Sequence, residues 1–230
     1  MAAPARPLKV YSLGRTRYSD VQSLQQRLQA ERREWHGADA LLLTEHEPVF
    51  TLGRSHPVPD LKVAPERVAA EGIPIVQTER GGDITYHGPG QLVAYGIIDL
   101  KAWGMGAVDY VAGLEDAVIR VLRHWGIRGR RVDGARGAWV DGRKIASVGI
   151  NVRRWVTMHG VALNVEPEMR HFDLINPCGM PDAEMTSMAI ELGHPVGVPE
   201  VEEAFTAEFA GVFACAPITV CMPEIVLAAP

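Results

Sequence analysis

Apolar residues recur along this chain with two periods, and the periods mark out helices and strands. After Ser19 or Asp20, either of which can cap a helix, Val21, Leu24, Leu28 and Trp35 fall on one helical face, and His36-Gly37 closes it. The residues ahead of it, Tyr11 to Tyr18, read as a short lead-in. Ala40 to Leu43 is a buried-strand run followed by the polar Thr44-Glu45-His46-Glu47. Val49, Phe50 and Leu52 read as a strand that stops at Gly53. Ser55 to Lys62 holds two prolines and reads as a loop, and Pro65 to Glu71 as a short helix with proline at its start. Ile73 to Val76 leads into a glycine-rich segment, from which Val93, Tyr95, Ile97 and Ile98 emerge as a strand. Val108, Val111, Leu114, Val118, Leu122 and Trp125 recur at helical spacing, with Gly126 as the stop. Asp141-Gly142 between Ala138-Trp139-Val140 and Arg143 to Ile150 predicts a hairpin with a two-residue turn, pairing Val140 with Arg143 and Trp139 with Lys144. Val161 to Val165 is a further strand. Val201, Phe205, Phe209 and Val212 mark a last helix after Pro199, and Ile218 to Val220 and Ile225 to Leu227 read as closing strands. No repeat, low-complexity tract or linker interrupts the series. It predicts one domain over residues 1–230, of the α/β (α+β) class, with a mixed, largely antiparallel sheet flanked by helices.

Composition narrows the function. A chain of 230 residues that is 47% hydrophobic can bury a real core. Twenty-three Lys and Arg against 28 Asp and Glu, net charge −5, argue against a general nucleic-acid binder. A local basic patch is still open: Arg123, Arg128, Arg130 and Arg131 could face an acidic partner or simply form a solvated loop. No apolar run reaches membrane-span length, and Met1 to Tyr11 lacks the apolar core of a secretory signal, so the expected location is the cytoplasm. The three cysteines, Cys178, Cys215 and Cys221, form no Cys-x-x-Cys pair and fit reduced thiols. No metal-ligand spacing occurs, and no metal is expected.

The segment Arg80-Gly81-Gly82-Asp83-Ile84-Thr85-Tyr86-His87-Gly88-Pro89-Gly90-Gln91 carries most of the information. Its glycines let the main chain approach a ligand closely. It has neither the Gly-Lys-Ser/Thr of a phosphate loop nor the Gly-x-Gly-x-x-Gly of a dinucleotide site. Cys178, between Pro177 and Gly179, sits in a turn that can present a thiol; it is either a nucleophile or a small buried apolar residue. Cys215 and Cys221 lie in apolar surroundings and read as core. Lys144 shares a strand face with Ala146, Val148 and Ile150, so it is either an edge-strand lysine at the sheet's rim or one held for proton transfer or for pairing with a thiolate. His87 and His159, each beside a glycine, are general-base candidates or hydrogen-bonded structural residues. Ser147 reads as a site-lining hydroxyl.

Taken together, five blocks in order resemble the lipoyl(octanoyl) transferase family. They are His46 to Gly53, Arg80-Gly81-Gly82 through His87-Gly88-Pro89-Gly90-Gln91, Gly142 to Gly149, His159 to Asn164, and Phe172 to Gly179. The first 40 residues and the tail after about Leu192 carry little of this signal. The resemblance implies a fold like the catalytic domains of biotin and lipoate protein ligases. It also implies an acyltransferase with no cofactor, taking an octanoyl group from octanoyl-acyl carrier protein. The group passes through a cysteine thioester to the lysine of lipoyl domains, in 2-oxoacid dehydrogenase E2 subunits and the glycine cleavage H protein. Cys178 falls on the family's nucleophile and Lys144 on the lysine that lowers its pKa. Arg80, Gly81, Gly82, Asp83, Ile84, Thr85, Tyr86 and His87 fall on substrate-contacting positions. So do Ser147, Val148 and Gly149, and Gly160, Val161 and Ala162. A monomer is expected. A ligase that makes an acyl-adenylate and a non-catalytic module that holds acylated carrier protein are the competing readings. ATP dependence and acylation of Cys178 discriminate them.

Overall fold

The computed structural model describes residues 5–34, 37–55, 58–176 and 183–220. The first half of the chain forms β1 (Arg6–Thr16), α1 (Tyr18–Glu34), β2 (Ala40–His46), β3 (Val49–Leu52), α2 (Pro65–Ala70), β4 (Ile75–Gln77), β5 (Thr85–His87) and β6 (Gln91–Ile97). Then come α3 (Leu100–Trp103), α4 (Ala107–His124), β7 (Arg130–Val132), β8 (Ala135–Val140), β9 (Arg143–Arg153) and β10 (Val156–Asn164). A 3₁₀ turn (Met169–Leu174), α5 (Met188–Leu192), α6 (Val198–Phe213) and β11 (Cys215–Thr219) complete it. Eight strands make one mixed sheet in the order β11-β1-β2-β6-β10-β9-β8-β7, and β4-β3-β5 make a small second sheet. In the large sheet β1 runs parallel to β2 and β11, and the other neighbours are antiparallel.

The large sheet is covered on both faces, which is why Leu41-Leu42-Leu43 and Leu92-Val93-Ala94-Tyr95 are unbroken apolar runs rather than alternating ones. Leu41, Leu43, Leu92, Ala94, Val161 and Leu163 pack into the core with α4 and α6, while Leu42, Val93, Tyr95 and Ala162 pack with Val21 and Leu24 of α1. Period two along each strand divides the faces. On α4, Tyr110, Leu114, Ala117, Val118, Val121 and Leu122 are buried at helical spacing, but Val108, expected on that face, is 66% exposed. The Asp109 carboxylate accepts the Gly106 N–H at 3.2 Å at the helix start, and Gly126, at φ 72°, follows its end. Phe50, Leu52, Ile84, Tyr86, Phe172, Leu174 and Ile175 form a separate small core under the second sheet.

The chain departs from the sequence reading in several places. The expected lead-in is a full strand, β1, with a bulge between Ser12 and Arg15 where Gly14 takes φ 62°. Part of the glycine-rich segment, Thr85–His87, is a strand. The Arg130–Val132 stretch is an edge strand rather than a loop, and within it Arg131 is tied to Glu115 at 3.0 Å and Asp116 at 2.8 Å. The hairpin has the expected register, with Asp141 (φ 47°) and Gly142 (φ 85°) forming its two-residue turn. Trp35, His36, Cys178, Cys221 and the Ile225 to Leu227 stretch lie outside the described residues.

Candidate active site

Lys144 is 1% exposed, so it is not a rim lysine. It sits one residue past the hairpin turn, where Trp139 faces Lys144 but Ala138 faces Ala146. Ile145 is therefore the extra residue of a β-bulge, a device that re-aims neighbouring side chains. The ammonium lies 5.3 Å over the Trp139 ring. Gly137, at φ 108°, passes so close that a Cβ there would stand 3.1 Å from Lys144 Cε and 2.1 Å from the Ala146 carbonyl oxygen. Only glycine fits. The Lys144 backbone is clamped as well: its N–H donates to Glu184 O (2.8 Å) and its carbonyl accepts from Thr186 N–H (2.9 Å). Glu184 to Thr186 follow Cys178 in the chain after a short interval. On the other side of Cys178, Asn176 donates to Asp60 from its backbone N–H (2.9 Å) and its Nδ2 (2.7 Å).

Beside this station a cleft opens between the glycine-rich segment and the middle of β9, β10 and β6. It holds about 450 Å³ of empty space counting its mouth. Arg80, Gly81, Gly82, Thr85, His87, Ser147, Val148, Gly149, Gly160, Val161 and Ala162 line it, so three stretches distant in sequence meet there. Strand register explains the meeting: Ser147 pairs with Ala162, Gly149 with Gly160, and Gly160 with Tyr95. Gly81 N–H donates to Ile150 O (3.0 Å), laying the glycine-rich segment on β9 beyond the point where β8 stops pairing. A Cβ on Gly149 would sit 3.0 Å from Gly81 O and 3.2 Å from Arg80 Cδ. Lys144 opens instead onto an adjoining cavity that shares Gly81, Gly82, Val148 and Gly149 with the cleft.

Three expected contact residues turn away from the cleft. Ile84 and Tyr86 alternate with Thr85 and His87 and point into the small core, as period two requires. Asp83 is buried, and its Oδ1 accepts the Ile84 N–H at 2.9 Å. Conversely, Tyr18, Val93, Tyr95 and His159 line the cleft without having been singled out for it. Tyr18 stacks on His87 with centroids 6.2 Å apart and meets His46 edge-on at 5.2 Å, and His46 Nε2 bonds Tyr95 OH at 2.8 Å. Among the described residues, the Tyr18 hydroxyl and His159 Nε2 are buried with no hydrogen-bond partner within 3.5 Å.

Burial keeps His46, His87 and His159 neutral. Burial pushes His46 down to about 4 and His87 to about 3, His46 and Arg80 adding to the effect on His87. Burial, then Arg80, takes His159 to about 3. His87 is held at both ring nitrogens, by Gln91 Oε1 (2.7 Å) and Thr51 Oγ1 (3.2 Å). His159 holds φ 62°, a strained conformation for a residue with a side chain, and its N–H donates to Gln25 Oε1 at 2.8 Å. Arg80 donates to Thr51 O (2.6 Å), Thr51 Oγ1 (2.9 Å) and Gly81 O (3.1 Å). Cys215 is core, its thiol pushed up by burial to about 11, which removes it as a nucleophile.

The site is thus a cleft on a mixed sheet covered on both faces, walled by a glycine-rich segment laid on β9 and adjoining a cavity that holds a buried lysine. Residues 17–210 match the lipoyl protein ligase A/B catalytic domain family. Lipoate-protein ligase A bound with ATP shares the fold at TM-score 0.71 and 16% identity, over 98% of this chain and 93% of that one. A bi-partite lipoate protein ligase from Thermoplasma acidophilum, described with its E2 lipoyl domain, does so at TM-score 0.68 and 15% identity, over 99% and 91%. The octanoyltransferase of Chloroflexus aurantiacus is 44% identical over 92% of this chain and 96% of its own length. The chain belongs to the lipoyl protein ligase A/B family and, within it, to the octanoyltransferases. It is an acyltransferase that moves an octanoyl group in protein lipoylation.

Proposed function

We propose that the donor is octanoyl-acyl carrier protein, that Cys178 carries the octanoyl group as a thioester, and that Lys144 manages the protons. The acceptors are the lysines of lipoyl domains in 2-oxoacid dehydrogenase E2 subunits and the glycine cleavage H protein. The Cys178 thiolate attacks the donor's carbonyl, the carbon–sulfur bond to the carrier breaks, and the departing thiolate takes a proton from the Lys144 ammonium. The acceptor amine then attacks the acyl-enzyme, its proton passes to the now neutral Lys144, and the Cys178 thiolate leaves. Ammonium and thiolate are both restored, and nothing has to be activated by ATP. A Lys144 ammonium next to the Cys178 thiol would favour the thiolate. Backbone N–H groups near Lys144 to Ser147 or at Cys178-Gly179 would stabilise the tetrahedral oxyanion.

What supports this reading is the buried Lys144, clamped by its backbone to Glu184 and Thr186 in the stretch that follows Cys178. The cleft's wall of Gly81, Gly82, Gly149, Gly160 and Ala162 supports the substrate assignment. Its lining of glycine, alanine and valine backbone suits a slender chain. Arg80 to His87, Ser147 to Gly149 and Gly160 to Ala162 supply the contacts, with Asp83, Ile84 and Tyr86 supporting from behind. The enzyme works as a monomeric single domain in the cytoplasm. The test is octanoyl transfer from acyl carrier protein to an apo lipoyl domain with ATP omitted. Undiminished transfer is expected; a strict need for ATP would place the chain with the adenylate-forming ligases.

A further inference from the structure

Gln91 and Asn164 stand in the sequence blocks described above, yet the reaction leaves them without a role. They face each other across β6 and β10, 2% and 1% exposed. Their hydrogen bonds fix how each amide is turned. Gln91 Nε2 donates to Asn164 Oδ1 (2.8 Å) and Tyr86 O (3.2 Å), so Gln91 Oε1 faces His87 Nδ1 (2.7 Å) and accepts its proton. His87 is thereby the Nδ1–H tautomer, and Thr51 Oγ1 donates to its Nε2. With Oδ1 used by Gln91, Asn164 turns Nδ2 toward Thr186 O and donates at 2.9 Å. Pairing of β10 with β9 ends at Leu163 and Ala146, and Glu184 to Thr186 take over beside Lys144. A continuous chain of hydrogen bonds therefore runs from Arg80 and His87 in the cleft wall, through Gln91 and Asn164, to the clamp on Lys144.

We propose that Asn164 is a positioning residue for acyl transfer. By holding the Thr186 carbonyl it fixes the segment after Cys178 against β9. With that segment it fixes the backbone of Lys144, and so ties the catalytic lysine to the cleft wall. The inference rests on the cysteine–lysine reading of the reaction. Asparagine suits the place because one planar group supplies both an acceptor for Gln91 and a donor for Thr186. A hydrocarbon of the same size supplies neither and leaves a buried carbonyl that must move to find a partner. Displacements of about 1 Å at a reacting pair can cost on the order of a hundredfold in rate.

The test is rapid-quench measurement of acyl-enzyme formation from octanoyl-acyl carrier protein, without ATP, in the full-length wild type and in Asn164→Leu. Asn164→Ala is read the same way should the leucine variant not fold. The expected result is a rate constant about tenfold or more below wild type. The half-saturating donor concentration should stay put, and the burst amplitude should equal the folded fraction seen by circular dichroism. A normal rate constant with only a reduced amplitude would mean that Asn164 merely supports the fold, and overturns the proposal. So does a loss confined to the half-saturating concentration. Absence of any acyl-enzyme in wild type would instead strike the cysteine–lysine reading itself.

Discussion

Acidification should unfold this protein well above the pH at which its carboxylates protonate. His46, His87 and His159 are buried and neutral, titrating at about 4, 3 and 3 in the fold. In the unfolded chain each would titrate near its ordinary 6.5. The unfolded chain therefore binds more protons below pH 6.5, and stability falls as pH falls. Between pH 7 and 5 the unfolded state gains about 1.8 kcal/mol per histidine, roughly 5 kcal/mol for the three. That sum hardly depends on how far below 5 the folded values lie. It is comparable to the whole stability of many domains, about 5–15 kcal/mol. Burial also lowers His171, which adds in the same direction. Urea melts at pH 7, 6 and 5 are the assay: the midpoint should drop by about 2 M across the range, given a slope of about 3 kcal/mol/M. Replacing His46 by glutamine should flatten the dependence by about a third. An unchanged midpoint between pH 7 and 5 would show that these rings are not neutral and dry, and would refute the argument.

Other outcomes follow from particular contacts. Lys144→Met should slow acyl-enzyme formation on the order of 10²–10⁴-fold, as loss of a positioned proton carrier does; alkylation of Cys178 should shift to higher pH, and an unchanged profile would count against the dyad. Gly149→Ala puts a methyl group against Gly81 O and Arg80 Cδ at the cleft wall, so shorter acyl donors should gain on octanoyl in competition assays. Gly160→Ala would place a Cβ 2.1 Å from Ala94 O in the centre of the sheet; a loss of about 1–3 kcal/mol or more is expected in urea melts. Tyr18→Ala removes a ring from the cleft lining, and decanoyl or dodecanoyl donors should then compete better against octanoyl.

The parts legible in the sequence were those fixed by local rules. Asp141-Gly142 specifies its turn, and with it the pairing of Trp139 and Lys144, because both residues must take positive φ. α4 was legible because burial repeats every three to four residues over 18 positions. β1 was harder to see: Leu8 and Val10 alternate correctly, but the bulge at Gly14 breaks the period. β5 spans three residues, too few to show any period. The glycines of the Arg80 to Gln91 segment marked it as irregular backbone, and part of it lines the cleft, but which of its side chains face inward depends on where β5 begins. Tyr18, Tyr95 and His159 reach the cleft from α1, β6 and β10. Only the register between strands brings them together, and register is a long-range property. A polar-tipped tyrosine in the apolar run of β6 was the one available hint.

The central claim is that acyl transfer runs through Cys178. Its most direct test is intact mass after mixing the purified chain with octanoyl-acyl carrier protein in the absence of ATP. The account requires an octanoyl adduct that hydroxylamine releases and that Cys178→Ala does not form. Transfer at wild-type level by Cys178→Ala, or an adduct that appears only when ATP is added, would contradict it.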